Sequence, residues 1–557
     1  MPISWREETV EADVLVVGGG IAACCAAVEA AKFGVRVILA DKGRLGVSGS
    51  TPTSGGGVAF PDPGQGDDVA KFYEDTWRAG DELGDPALVR ILCEEAGEGV
   101  QRLEQLGIPF EHGADGGFTH RSSLGHRSPR SCSPLGRGAG MMVGLRKEVF
   151  HRGVTVYENL AVTRVIVSGG EVRGAYGIDL RTGSARLFKV PSVILGAGGA
   201  TDLYPVASAN YLTSGDSYAL AYEAGAMLAN MEFVEFTIVP ASAGGRAISS
   251  GGATSYPGQG GRLYNSLGER FMERYDPEKL ERARRSNLVR AIYTECIEGR
   301  GPIMMDASWI PPERRHILER SESILKLRAS GIEPWQDRFE WVITVHTFLG
   351  GAVIDEEGRT TVPGLYAAGE ASNGIHGADR LSGNAIGEGI VFGFRAGRAA
   401  AKRALAGLVD GRAADGRGLD GRGLDGHRDR LRMLLAASPS DTRELKRSLQ
   451  QAAWSRIGVR RSGEGLREAE SAFEELGSAA LGSGARDLKE AQALMELANL
   501  SLTGKLIARA ALRREESRGQ HWRTEHPQKD GAWNRWIVQS RERGEEVTTP
   551  AELAAAR

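Results

Sequence analysis

Two short apolar runs with a helix-like segment between them open the chain. Residues 14–17 are all apolar and lead into Gly18-Gly19-Gly20, the segment that follows has helical character, and a mostly apolar run over 35–40 ends in Asp41. This order predicts strand, glycine turn, helix, strand and terminal acid, which is the arrangement that holds the ADP half of a dinucleotide. The alternative is a buried strand–turn–helix without a ligand, and the acid at the end of the second strand favours the nucleotide.

Each residue of this first motif has a physical reason to face a nucleotide. Gly18 can take the tight turn, and Gly20 lets the backbone approach a pyrophosphate over a helix N-terminus, where free amides and the helix dipole favour negative charge. Ala23 stands where a third glycine is usual and is small enough for close packing of helix on strand. Asp41, 23 positions after Gly18, can accept hydrogen bonds from ribose hydroxyls.

Later segments return to the same pattern. Residues 46–57 are rich in Gly, Ser and Thr and would let backbone amides close over a flat ligand, although a flexible surface loop has the same composition. An apolar strand runs into glycines over 190–201, and another over 362–370 ends in Gly369 and Glu370. Both are predicted to be further places where the backbone approaches a cofactor.

Between these strands the hydrophobic spacing predicts other elements. Apolar positions at helical spacing over 67–106 indicate helix, and two alternating stretches over 154–167 and 171–178 indicate a small antiparallel pair. Helical character returns over 442–515, followed by an extended tail that contains tryptophan.

A change of character divides the chain into domains. From about residue 232 to 343, mixed helices and glycine-rich loops indicate an inserted unit, and a near-repeat of Gly-Arg-Gly-Leu-Asp indicates a solvated linker. We therefore predict a nucleotide-binding domain over 1–232 and 344–408 and a capping domain over 233–343. A linker over 409–428 and a C-terminal helical domain with its tail over 429–557 would complete the chain.

Composition narrows the classes of partner. With 557 residues the chain is too long for one core, and a net charge of -3 gives no reason to expect nucleic acid or an anionic membrane. The five cysteines show no CxxC spacing, so no metal or iron–sulfur site is predicted within the chain. No signal peptide and no apolar run of membrane-spanning length occurs in the sequence. We therefore expect a soluble, cytoplasmic protein without a membrane span.

Several motifs in order extend the picture beyond the nucleotide fold. They are Gly268-Glu269-Arg270-Phe271-Met272, Glu298-Gly299-Arg300-Gly301, His346 with Gly350-Gly351, the run from His376 to Asn384 (HGADRLSGN), and Glu516-Ser517-Arg518-Gly519. From Asp13 to Trp536 the chain resembles the flavoprotein subunits of succinate dehydrogenase and fumarate reductase, and L-aspartate oxidase and the α chain of adenylylsulfate reductase are relatives of these. The resemblance implies an α/β fold: a Rossmann-like FAD-binding domain, an inserted α+β capping domain and a C-terminal helical domain.

By this resemblance the dinucleotide is FAD. Gly18, Gly20 and Asp41 would hold its ADP half, Glu370 its ribityl and ribose region, and the helix that begins near Asn384 would stabilise negative charge on the reduced ring. Ser50 stands where many succinate dehydrogenases carry a flavin-linked histidine, so the FAD is expected to be noncovalent. The other predicted cofactor-binding residues are Ala23, Lys42, Thr51, Ser54, Gly55, Gly56, Ala197, Gly198, Gly199, Asp216, Ala385 and Ile386.

The resemblance also implies three catalytic residues. Arg285 matches the arginine that delivers or receives the substrate proton. His346 and Arg380 match the pair that grips a substrate carboxylate, a task suited to an imidazole donor and a guanidinium fork. For each residue alone, a structural charge would be the simpler interpretation, and the surrounding motifs favour the catalytic one.

Other family positions differ in this chain. The histidine of a Phe-His-Pro-Thr motif falls at Thr237, a Thr-Glu pair falls at Ala253 and Thr254, and a following arginine falls at Pro257. The carboxylate–arginine proton relay and half of a dicarboxylate clamp are therefore expected to be absent. Since arginine is a poor base without a neighbour that takes the proton, a substrate with one carboxylate fits better than fumarate.

Three functions remain open at this stage. The first is an FAD-dependent oxidoreductase that transfers a hydride between a small carboxylate and flavin N5. The second is a protein similar to the catalytic part of adenylylsulfate reductase that exchanges electrons with a separate iron–sulfur protein. The third is a flavin-binding relay or assembly protein without catalysis, which the retained Arg285, His346 and Arg380 oppose.

Overall fold

A computed structural model describes residues 6–123, 125–208, 212–241, 247, 255–319, 321–409, 422–434 and 441–555. The strands of this part of the chain are β1 (Glu7–Glu11), β2 (Val14–Val17), β3 (Val37–Asp41), β4 (Val58–Ala59), β5 (Ser131–Cys132), β6 (Thr155–Glu158), β7 (Leu160–Ser168), β8 (Glu171–Asp179), β9 (Ala185–Lys189), β10 (Val193–Leu195), β11 (Leu228–Ala229), β12 (Val234–Pro240), β13 (Arg262–Tyr264), β14 (Ile303–Asp306), β15 (Phe339–Phe348), β16 (Gly351–Val353), β17 (Leu365–Ala367), β18 (Ser372–Asn373), β19 (Trp536–Ser540) and β20 (Gly544–Thr548).

The α-helices of the same residues are α1 (Ile21–Ala31), α2 (Val69–Ala79), α3 (Pro86–Gln105), α4 (Arg137–His151), α5 (Asp216–Glu223), α6 (Ser255–Gln259), α7 (Met272–Tyr275), α8 (Arg285–Ile297), α9 (Pro312–Glu319), α10 (Glu322–Ala329), α11 (Asn384–Val409), α12 (Arg422–Leu434), α13 (Thr442–Arg456), α14 (Gly463–Gly482), α15 (Leu488–Arg513) and α16 (Pro550–Ala555).

A five-stranded parallel sheet forms the centre of the nucleotide-binding half, in the order β17-β10-β2-β3-β6. Its strands are completely buried runs of Val, Ile, Leu and Ala in β2, β3 and β10, as expected for a parallel sheet covered on both faces. Helices α1 and α11 pack against each other and against this sheet. The predicted α/β class with a Rossmann-like first motif is confirmed.

The register of this sheet brings distant segments together. Leu195 lies opposite both Val17 and Ala367, and Val17 lies opposite Ala40, so four strands end at the same edge. Ligands of open parallel sheets bind outside the carboxyl ends of the strands. The glycine turn, the loop after β10, Asp41 and Glu370 therefore meet at one edge.

The predicted capping domain contains an antiparallel sheet in the order β12-β15-β14-β13. Strand β12 pairs along β15 from Val234 opposite Phe348 to Pro240 opposite Trp341. The predicted upper limit of this domain at residue 343 thus falls within β15. The strand carries the capping sheet directly back towards the nucleotide-binding half.

The strand pair, the helix and the linker predicted from the sequence agree with the structure to different extents. The antiparallel pair expected over 154–167 and 171–178 is confirmed as β7 and β8, which pair from Leu160 opposite Asp179. The start of the first stretch differs from the prediction, because Thr155–Glu158 form β6, which pairs in parallel with β3 in the central sheet. The helix expected over 67–106 consists of two, α2 and α3, because the turn near Gly80 and the N-cap at Asp85 divide it. Of the linker expected over 409–428, residues 410–421 lie outside the described residues, and the last seven belong to α12 instead.

The C-terminal part is helical, as predicted, and its tail returns to the body of the protein. Helices α13, α14 and α15 pack together, and α15 also contacts α5. The extended tail supplies β19, which pairs with β11, so it completes a five-stranded sheet in the order β18-β16-β11-β19-β20. No helix in the described part of the chain combines the length and apolarity needed to cross a bilayer.

Candidate active site

A cavity of about 960 Å³ lies at the carboxyl edge of the parallel sheet. It is lined by fifteen of the eighteen predicted cofactor-binding residues: Gly18, Gly20, Asp41, Lys42, Ser50, Thr51, Ser54, Gly55, Gly56, Ala197, Gly198, Asp216, Glu370, Ala385 and Ile386. The three predicted catalytic residues line the same cavity. Ala23, Gly199 and Asn384 do not line it, and each has a different place.

The glycine turn has no room for side chains. Gly18 has φ +113°, and a Cβ there would lie 2.4 Å from the carbonyl oxygen of Gly196. At Gly19 a Cβ would lie 2.0 Å from Oδ2 of Asp41. Gly20 is the N-cap of α1, and the amide of Ile21 donates to Thr51 Oγ1 at 3.2 Å. Gly18, Gly19 and Gly20 therefore bring bare backbone to the cavity beside the N-terminus of α1, where an anion-binding site is expected.

The predicted residues that do not line the cavity support those that do. Ala23 lies against Gly196, where a Cβ would approach to 3.1 Å, so a small residue is needed at both positions. At Gly199 a Cβ would meet Glu370 Oε1 at 2.2 Å. Asn384 begins α11 and donates to Thr76 Oγ1 at 3.2 Å, while its buried Oδ1 has no partner among the described residues.

Asp41 and Lys42, the charged residues at the carboxyl end of β3, have different partners. Asp41 accepts from the Gly43 amide at 2.9 Å, and burial raises the pKa of its carboxyl group. Lys42 lies 2.8 Å from Asp216 and 2.9 Å from Glu496, so its ammonium is already paired with two carboxylates of the protein. Asp216 also accepts from Asn499 at 2.9 Å. Lys42 therefore joins the first motif to α5 and α15.

Glu370 lies at the other side of the cavity from Asp41. Its Oε1 accepts from the Phe348 amide at 2.9 Å, and its carbonyl accepts from the Tyr218 hydroxyl at 2.8 Å. Burial raises the pKa of the Glu370 carboxyl to about 7. Near neutral pH this carboxyl is consequently divided between its protonated and ionised forms.

The three predicted catalytic side chains converge on one buried carboxylate, Glu235. Arg285 begins α8 and donates through Nη1 to Glu235 Oε1, and Arg380 donates through Nη2 to the same oxygen at 3.0 Å. His346 Nε2, on β15, lies 3.8 Å from that oxygen, and His346 Nδ1 lies 2.6 Å from Ser208 Oγ. The Glu235 side chain is 0% exposed. Four segments of the chain thus build this cluster.

The electrostatics of the cluster define its charge states. Burial alone would raise the pKa of Glu235, but Arg285 and Arg380 outweigh burial and keep the pKa below its ordinary value. Burial lowers the pKa of His346 to about 3, although part of the ring is open to the cavity. His346 is therefore a neutral ring that is hydrogen-bonded to Ser208 through Nδ1, and the two arginines are the cations.

The expectation that Arg285 lacks a neighbouring carboxylate is wrong. Position 254 does not carry glutamate, and Ala253 and Thr254 lie outside the described residues, but Glu235 on β12 supplies a carboxylate from another element. Thr237 lines the cavity on the same strand, and Pro257 is buried in α6. The motif comparison missed Glu235 because it considered only the positions at which the family's acid stands.

Two further residues of the site were missed by the sequence analysis. Glu235 had a usable signal, since it is a charge within the apolar run Phe233-Val234-Glu235-Phe236, and a buried charge requires a partner. Ser208 had none, because only the fold brings it to His346, 138 positions away.

Comparison with protein-family models identifies two regions. Residues 13–386 match the family described as FAD binding domain, and residues 446–550 match the family described as fumarate reductase flavoprotein C-term. The first match includes the glycine turn, the capping segment and all three predicted catalytic residues. The second begins within α13 and ends at the tail.

Curated relatives extend over nearly the whole chain. A protein of Methanothermobacter marburgensis that forms part of its fumarate reductase (CoM/CoB) is 36% identical, over 96% of this chain and 98% of its own length. L-aspartate oxidase of Streptomyces coelicolor is 31% identical, over 95% of this chain and 91% of its own length.

Solved structures share the fold. FrdA of E. coli quinol fumarate reductase has a TM-score of 0.86 at 23% identity, covering 97% of both chains. Mycobacterium smegmatis Sdh1 in complex with UQ1 has a TM-score of 0.83 at 28% identity, covering 98% of this chain and 94% of its own. Adenylylsulfate reductase from Archaeoglobus fulgidus has a TM-score of 0.77 at 19% identity, covering 98% and 96%.

Proposed function

The chain belongs to the family of FAD-dependent oxidoreductases that includes fumarate reductase flavoproteins and L-aspartate oxidase, and we propose that it transfers a hydride between a small carboxylate substrate and flavin N5. The observation that carries this proposal is the convergence of Arg285, His346 and Arg380 in the cavity that the glycine turn also lines. A nucleotide site and an anion site therefore share one enclosed space.

The residues present fit FAD on grounds of space and of hydrogen bonding. Gly18 and Gly19 leave a bare backbone where any Cβ would collide with Gly196 or Asp41, and this bare turn caps α1 as a pyrophosphate site does. Asp41 and Glu370 offer carboxylate acceptors for sugar hydroxyls, and α11 begins beside the far part of the cavity. When bound, FAD supplies a centre that accepts or donates two electrons. Ser50 lines this cavity and supports our proposal of a noncovalent cofactor.

Arg380 and His346 are suited to anchor a substrate carboxylate. Both line the cavity, and Arg380 supplies a cationic donor. We take neutral His346 in the tautomer in which Nδ1 accepts from Ser208, so that Nε2 carries the proton; Nε2 lies 3.8 Å from Glu235 Oε1, too far for a hydrogen bond. Because a guanidinium and an imidazole point into the same space, a carboxylate could accept from both. The substrate carbon would then be held against the cofactor region of the cavity.

Arg285 is suited to handle the substrate proton. Its side chain is only 5% exposed, lines the cavity and is held through Nη1 by Glu235. This contact orients the guanidinium and balances its charge, so the remaining N–H groups of Arg285 can face the substrate. Since Arg285 begins α8 within the predicted capping domain, we propose that this domain closes over the substrate, excludes water and positions Arg285.

Anaerobic titration of the purified yellow protein tests the proposal. Small carboxylates are added to the oxidised protein, and separately to protein reduced with dithionite, while the flavin absorbance is recorded. We expect at least one carboxylate to bleach the oxidised flavin or to reoxidise the reduced flavin. If no carboxylate does either, the proposed substrate class is wrong.

The electron acceptor needs a separate experiment. We propose that electrons are exchanged either with oxygen or with a separate electron-transfer protein, possibilities that the L-aspartate oxidase and fumarate reductase names suggest for those relatives. Oxygen consumption by the isolated chain with its reducing substrate would indicate an oxidase. Turnover that occurs only with an artificial electron acceptor would indicate dependence on a partner.

A further inference from the structure

The anion-binding end of the cavity already contains a carboxylate of the protein. Glu235 Oε1 accepts from both Arg285 and Arg380, and the carboxylate is completely buried. Its other oxygen, Oε2, has no partner among the described residues. Arg380, which we propose to hold the substrate carboxylate, and Arg285, which we propose to handle the proton, therefore share one internal counter-ion.

The charges around this point can be counted. Arg285 and Arg380 contribute two positive charges and Glu235 one negative charge, while His346 is neutral because its pKa is about 3. Asp379 lies next to the arginines and accepts from Ser286 at 2.8 Å and from Gln520 at 3.0 Å; burial raises its pKa. The net charge of the cluster is thus +1 at most, and lower whenever Asp379 is ionised.

We propose that Glu235 is a specificity-determining residue that limits the site to substrates with a single carboxylate near the reacting carbons. This inference rests on the proposed function and defines its substrate class. With Asp379 protonated, a monoanion neutralises the cluster, and with Asp379 ionised a monoanion already adds one negative charge. In both states a dianion brings a second carboxylate towards Glu235 and leaves more negative charge in a buried space. Like charges placed together in such a site are strongly unfavourable.

Neighbouring hydroxyl groups indicate what the rest of the substrate carries. Thr237 on β12 lies opposite Thr344 on β15, and both are almost completely buried. Neither Oγ1 has a hydrogen-bond partner among the described residues, and Thr237 lines the cavity. Buried hydroxyls call for a hydrogen-bond partner, so the part of the substrate beside them is expected to carry a polar group such as a carbonyl, hydroxyl or amide.

Crotonate and fumarate provide a matched pair of probes. They share the same trans double bond and one carboxylate, and differ in whether a methyl group or a second carboxylate stands at the other end. Their dissociation constants are measured on the FAD-loaded protein by calorimetry, with the flavin spectrum as a second readout. We expect the wild-type protein to bind crotonate at least about tenfold more tightly than fumarate, because the dianion meets Glu235.

Substitution of Glu235 separates charge from shape. E235Q keeps the size of the side chain and leaves both arginines without their counter-ion, so the fumarate-to-crotonate affinity ratio should rise at least about tenfold. E235D retains the charge and should retain the preference for crotonate. E295Q is the matched control, since Glu295 is a buried carboxylate on α8 held by Arg300 at 2.8 Å outside the cavity.

The outcomes distinguish this inference from the proposed function. Tighter binding of fumarate than of crotonate by the wild-type protein overturns the inference alone, and needs no variant that folds. An affinity ratio unchanged in E235Q with normal FAD content overturns it as well. If neither probe binds, the inference fails, and the anaerobic titration with other small carboxylates decides separately whether the proposed substrate class is wrong.

Discussion

Replacement of Arg285 by glutamine tests whether this arginine transfers the substrate proton or only balances the buried charge of Glu235. Removing one member of a buried ion pair typically costs about 3–5 kcal/mol. Arg380 remains 3.0 Å from the same oxygen of Glu235, and the glutamine amide can still donate, so we expect a loss near the lower limit, about 3 kcal/mol. If Arg285 also transfers the substrate proton, kcat should fall about 10²–10⁴-fold in the protein that remains folded.

The matched control for this variant is R270Q. Arg270 also lies in the predicted capping domain and holds a buried glutamate, Glu281, at 2.6 Å, but it does not line the cavity. Thermal unfolding and flavin content measure the folded fraction of each variant, and steady-state kinetics with the carboxylate identified by anaerobic titration measure turnover. We expect similar destabilisation of both variants and a large loss of kcat in R285Q alone. Equal kcat values per bound flavin would refute a role for Arg285 in proton transfer.

Three further predictions concern the cofactor and the pH response. G19A should lose FAD, because its Cβ would lie 2.0 Å from Asp41 Oδ2. The control G482A, which has open space at its Cβ, should keep FAD. The ratio of flavin to protein absorbance in each purified variant measures the bound FAD. Because the Glu370 pKa is raised from 4.5 to about 7, the folded apoprotein binds this proton more tightly than the unfolded chain, so the contribution of Glu370 to stability should fall as pH rises from 4.5 to 7. In urea unfolding, the stability of wild type relative to E370Q should therefore fall over this pH range, and a constant difference would contradict the assignment. Since the His346 pKa is about 3, the pH profiles of kcat/KM for wild type and H346Q should have the same shape from pH 5 to 8. A change of kcat/KM near pH 6.5 that occurs in wild type alone would contradict a neutral His346.

The nucleotide-binding part of the site could be predicted because its signals are local. Gly18, Gly20 and Asp41 belong to one strand–turn–helix–strand unit, in which the hydrophobic pattern fixes the strands and the glycines fix the turn. Local patterns also indicate the loop 46–57 and the strand that ends in Glu370. The roles of Ser50 and Glu370 needed the family resemblance, because only the order of the strands in the sheet brings those loops to the first turn. Lys42 lines the cavity as predicted, but its pairing with Asp216 and Glu496 depends on helices that no local pattern connects.

The anion-binding end could be predicted only in part, because its charged side chains come from three separate segments. Arg285 is 50 residues from Glu235 and Arg380 is 145 residues from it, so the balance of charge at their meeting point exists only in the folded chain. Motif comparison detected the cations and interpreted the missing acid at position 254 as the loss of a proton relay. The structure shows instead that the carboxylate of Glu235 reaches the arginines from β12. Glu235 stands within an apolar run, and its buried carboxylate stays ionised because two arginines lie beside it. Under our proposal, the same three kinds of side chain select a different substrate charge, because the protein itself provides a counter-ion at Glu235.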